Sequence, residues 1–134
     1  MTDFFSVKIS KEEINAMSSL ALAHVGDAVY ELMVRVSLYR VGGHTAGEMH
    51  KKAVSFVSAT AQAEAMEKIK PMLTEEEIGV FKRGRNTRVN SVPHNATIAQ
   101  YHSATGLEAL FGYLYLIGDR ERINEFFDVI MREN

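Results

Sequence analysis

The chain has 134 residues, 46% of them hydrophobic and 24% charged, with 15 lysines and arginines against 17 aspartates and glutamates for a formal net charge of −2. High apolar content with 9 glycines and 2 prolines excludes the disordered and collagen-like classes, and the absence of cysteine excludes a disulfide framework, thiolate chemistry and cysteine-ligated zinc. The length suits one domain over 1–134, with one core. Leu107 to Ile117 falls short of the ~18 residues of a membrane span and carries Glu108. The opening MTDFFSVKISKEE lacks the basic and apolar regions of a signal peptide, so a cytoplasmic setting without a membrane partner is expected.

Helical patterning dominates in chain order. Ser10-Lys-Glu-Glu13 forms a capping-box pattern leading through Ile14, Met17 and Leu20 into a long run to about Tyr39. Within it Val25, Val29, Leu32, Val36 and Tyr39 recur at three and four residues and predict one stripe, stopped by Gly42-Gly43. Thr45-x-x-Glu48 opens a second helix with Met49, Ala53, Phe56 and Val57 on one face. Ala59 to Ile69 continues or restarts it until Pro71 forces a break. Thr74 to Glu77 is another capping box with an acidic first turn, and Gly84 is expected to end that helix. NTRVNSVPHN, from Asn86 to Asn95, reads as a polar loop. Helix is expected again from Ser103, and a last amphipathic helix from Asp119 to Arg132, with Ile123, Phe126 or Phe127, Ile130 and Met131 inward. No strand pair or internal repeat emerges, so the expected class is all-α with six or seven helices.

The charge is segregated. Residues 78–107 contain no Asp or Glu but hold Lys82, Arg83, Arg85 and Arg88, so this window is +4 and the remainder −6. KRGRNTR, with Asn86 able to hydrogen-bond, suits contact with a phosphate backbone, and Lys51 and Lys52 add a smaller basic pair. A solvated helix end, its cations complementing the helix dipole, is the plainer reading of the same residues.

Two acids interrupt apolar helical runs: Asp27, beside Gly26 in LALAHVGDAVYELMV among residues expected in the core, and Glu108 in ATGLEALFGYLYL. A buried carboxylate is unfavourable unless paired or bound to a cation, and two on facing helices suit a divalent metal with oxygen ligands such as Mg2+. Glu31, four residues after Asp27, shares its helical face. The plainer alternative for each acid is a cap or an ion pair, most strongly for Glu48, which completes a capping pattern. The five histidines, His24, His44, His50, His94 and His102, show no zinc spacing, and Tyr113, Tyr115 and the seven methionines read as packing.

HVGDAVYE resembles the LGDA part of the ribonuclease III signature, and TGLEALFGYLYL resembles that family's later helix, with FKRGRN between them. The resemblance runs from about Leu20 to Phe127 and is to the short bacterial Mini-III branch, which lacks a double-stranded RNA-binding domain. It implies an all-α endonuclease domain acting as a homodimer, with Asp27 and Glu108 as catalytic, Mg2+-binding residues cutting double-stranded RNA. It also implies a role in maturing the large-subunit (23S) ribosomal RNA precursor. Longer members carry a glutamate where this chain has Ala23 and an aspartate where it has Thr105, absences for which Glu31 or Glu48 could compensate. Two rival readings follow: a catalytically inactive helical RNA-binding or ribosome-associated module, and a purely structural helical dimer.

Overall fold

A computed structural model describes residues 1–43, 45–87 and 95–132. Among them stand seven α-helices: α1 Lys11–Asn15, α2 Ser19–Val41, α3 Ala46–Val57, α4 Ala59–Ile69, α5 Glu75–Arg85, α6 Ile98–Leu116 and α7 Arg120–Met131, with a short 3-10 turn at Lys70–Met72 between α4 and α5. This is the all-α class expected from the sequence. None of these helices is long and apolar enough to cross a membrane.

Local chemistry sets the helix starts. Ser10, Ser18, Thr45, Ser58, Thr74, Thr97 and Asp119 each accept a hydrogen bond from a first-turn backbone N–H, satisfying a donor that the helix leaves without a partner. Three boundaries differ from the sequence reading. Ser18 opens α2 as a helix separate from α1, so the run from Ser10 is broken. Thr97 and Gln100 form a reciprocal capping box that starts α6 at Ile98, ahead of Ser103. Gly84 does not end α5, because it is buried inside the helix and Asn86 is the cap.

Helix α6 is the axis of the fold, packed by α2, α4, α5 and α7. It buries Leu107, Leu110, Phe111 and Leu114 among others, and Tyr30 of α2 meets Phe111 edge-on at 5.2 Å between ring centres. The inward stripe of α2 is Leu22, Ala23, Gly26, Tyr30 and Val34. Leu32, Val36 and Tyr39, expected inward, are 55%, 51% and 57% exposed. The closest approach to α6 is at Gly26, beside Ala23, which carry little hydropathic signal, so following the large apolar residues along the helix leads to its outer side.

Glycine sets the closest approaches. A methyl group at Gly26 would overlap the Glu108 carbonyl oxygen and lie 2.7 Å from the Gly112 nitrogen. One at Gly112 would overlap the Leu22 carbonyl oxygen, so α2 and α6 cross backbone to backbone. α5 also crosses α6 closely: a methyl at Gly84 would stand 2.8 Å from the Ala109 Cβ, and one at Gly106 2.5 Å from the Phe81 ring. Behind these crossings, buried Glu77 is held by Arg122, whose Nε donates at 2.8 Å, while Tyr113 donates to Glu76. Burial alone would raise the Glu77 carboxyl, but Arg122 and the capping hydrogen bond with Thr74 hold it below its ordinary range.

Substituting Gly26→Ala is expected to destabilise the protein by about 3 kcal/mol in urea unfolding, because neither backbone can yield. Gly79→Ala on α5, where the nearest atom is Arg83 Nη1 at 3.4 Å, is expected to be neutral or to stabilise by up to ~1 kcal/mol. Equal effects of the two substitutions would show that close approach at Gly26 does not limit the fold.

Candidate functional site

The crossing of α2 and α6 fixes where two acids stand. Asp27 follows Gly26 on α2, and Glu108 is the residue whose carbonyl packs against Gly26. Their side chains meet in a hydrogen bond. Asp27, expected in the core, is exposed. One residue past the contact point turns it about 100° around the helix, to the rim of the crossing. Glu108 is half-buried. Burial first, then the hydrogen bond to Asp27 and the repulsion of its charge, push the Glu108 carboxyl up to about 8, so near neutral pH Glu108 keeps a proton that it donates to Asp27. None of the ion pairs described here includes either acid.

Gln62 of α4 stands beside Glu108 and opposes that rise, favouring the ionised form. It is only 3% exposed, and its buried Nε2 lies near Glu108 without forming a well-aligned hydrogen bond to any of the described residues. Sequence reasoning missed this residue. Its only signal was one amide in the Ala-rich stretch ATAQAEAM.

The other acids singled out from the sequence lie elsewhere. Glu31 is ion-paired at 2.7 Å with Arg35 on the outside of α2. Glu48 sits in the first turn of α3, its N–H donating to Thr45 Oγ1 at 3.2 Å. Among the described residues no three His, Asp or Glu side chains come together to hold a metal. Ala23 and Thr105, at the positions of the absent acids, are both buried, and the Thr105 hydroxyl donates to Tyr101 O within its own helix at 3.0 Å.

Of the basic residues, Lys82, Arg83 and Arg85 share the last turn of α5, where cations complement the carbonyl end of the helix. Lys82 and Arg83 are exposed. Arg85 lies over the Phe81 ring at 5.5 Å, and its Nε donates to Asn86 Oδ1 at 3.2 Å. Lys51 and Lys52 are exposed on α3, and Arg88, like His44 and His94, lies outside the described residues.

Residues 20–119 match the ribonuclease III domain. A mini-ribonuclease 3 of Clostridium tetani (strain Massachusetts / E88) is 41% identical, the match covering 96% of this chain and 85% of that protein. One from Brevibacillus brevis (strain 47 / JCM 6285 / NBRC 100599) is 46% identical over 87% of this chain and 90% of its own. The crystal structure of a Fusobacterium nucleatum protein superposes with a TM-score of 0.81 at 32% identity, covering 89% of this chain and 95% of that one. A glycine-crossed helical frame with paired acids at its crossing, matched over most of its length by these relatives, places the chain in the ribonuclease III family, within its mini-ribonuclease 3 branch.

Proposed function

We propose that the chain is a divalent-metal-dependent endoribonuclease that hydrolyses phosphodiester bonds of double-stranded RNA, with Asp27 and Glu108 as its catalytic, metal-holding pair. The observation that carries this reading is the contact of the two carboxyls at the α2–α6 crossing, outside every ion pair described above. Two adjacent carboxylates repel and are disfavoured by burial, and a hard cation with a preference for oxygen ligands offsets both effects. The donor set fits Mg2+: carboxylate oxygens, one group at the rim and one half-buried. When bound, the ion supplies Lewis-acid polarisation of the phosphodiester and a more acidic water.

The protein's own part is positional. Asp27 at the rim meets solvent and substrate, while Glu108 is held in depth by α6 and releases its proton as the site is occupied. Lys82, Arg83, Arg85 and Asn86, with Arg88, Lys51 and Lys52, contact phosphates and follow A-form shape, since the deep major groove of duplex RNA hides its base edges. The exposed apolar side chains of α2, Leu32, Val36 and Tyr39, give a second copy a surface to cover, and a homodimer would set one site against each strand. Maturation of 23S ribosomal RNA in the cytoplasm is the role that the family resemblance implies. The buried, non-acidic Ala23 and Thr105 favour a second reading, a module that binds duplex RNA without cutting it.

Asp27→Asn and Glu108→Gln are each expected to slow cleavage of duplex RNA in Mg2+ by about 100-fold or more while leaving binding in chelator intact. Undiminished cutting by either variant removes the pair from the reaction, and binding without any cutting by the unaltered protein supports the inactive module. Replacing Lys82, Arg83, Arg85 and Arg88 together with Ala is expected to weaken duplex binding at low salt. It should also flatten the dependence of log affinity on log salt by up to ~0.7–0.9 for each phosphate that the variant no longer neutralises. Unchanged affinity and slope exclude the segment as an RNA-binding surface.

A further inference from the structure

We propose that Gln62 is a positioning residue for the acidic pair: from the α4 side its buried carboxamide donates to a Glu108 carboxyl oxygen and fixes that side chain toward Asp27. The inference rests on the reading of Asp27 and Glu108 as a metal-holding pair. Gln62 lies on the inner face of α4 with Ala65, Met66 and Ile69, all buried, where α4 packs against α6. Its side chain stands beside Glu108, and among the described residues its Nε2 makes no well-aligned hydrogen bond. A buried N–H left unpaired is penalised, and an apolar side chain of the same length would fill this space without that penalty. A Glu108 carboxyl oxygen turned away from Asp27 keeps lone pairs that this donor can serve. Carboxylates that hold metals are themselves commonly held by hydrogen bonds, which orient them. Gln62 thus orients Glu108, and it acts through Glu108 without touching substrate.

The test separates positioning from packing by two measurements on the intact chain. Gln62→Met keeps the length of the side chain and its helix propensity and deletes the donor. The metal-free variant is expected to melt at the same temperature as the unaltered protein or higher. Its affinity for Mn2+, read from the electron paramagnetic resonance signal of free Mn2+, is expected to fall about 10-fold. Duplex RNA affinity in chelator should not change. Gln62→Asn, whose amide is one methylene short of Glu108, is expected to lose Mn2+ affinity in the same direction, and it carries the test if Gln62→Met does not fold. Mn2+ affinity unchanged in a folded variant overturns the role of Gln62 and leaves the metal-holding pair standing. No Mn2+ binding by the unaltered protein overturns both.

Discussion

Helices α2 and α6 touch through their backbones because Gly26 and Gly112 leave no side chain between them. Side chains on two helices at an ordinary separation of about 8–10 Å meet through their ends. Here the axes close further, so short acids on either side of the crossing reach one another. Asp27 follows one of the contact glycines, and Glu108 supplies the carbonyl that the other helix packs against. The acidic pair is therefore a consequence of the packing. The second crossing, through Gly84 and Gly106, ties the basic end of α5 to the same central helix. α6 thus carries Glu108 of the acidic pair and is also the helix on which the cation-bearing α5 packs.

This arrangement resolves an electrostatic conflict. A polyanionic substrate is repelled by an acidic body, and the chain outside residues 78–107 carries −6. Lys82, Arg83 and Arg85 of the +4 window stand at the end of α5, where helix carbonyls already favour positive charge and where, on the proposed reading, they would attract the substrate. At the acids, burial and proximity keep a proton on Glu108, so the metal-free site carries less negative charge than its two carboxyls suggest. On the proposed reading, a cation held by the pair would reverse the local field for an approaching phosphate.

Helix starts are legible in the sequence, because Ser, Thr or Asp before an apolar run states its own hydrogen bond, as at Thr74 and Asp119. Asp27 and Glu108 are legible as acids in apolar surroundings. The depth of Asp27 is not, because exposure depends on where the partner helix touches α2, and that contact is marked by a glycine, which carries no hydropathic signal. For the same reason hydropathy points to the outer stripe of α2 as its inner one, and Gly84 looks like a helix end when it serves a crossing. Gln62 escapes notice because one amide among alanines resembles a surface position until α6 covers it.

The central claim is that the α2–α6 crossing forces the Asp27 and Glu108 carboxyls together, with no ion pair to either among the described residues. Carbon-13 NMR of the labelled glutamate carboxyls through a pH titration of the metal-free protein tests it most directly. The account predicts that Glu108 titrates near 8 and falls toward the ordinary carboxylate range, without reaching it, when Asp27 is replaced by Asn. A Glu108 that titrates near 4.5 in the unaltered protein and ignores Asp27→Asn would contradict it.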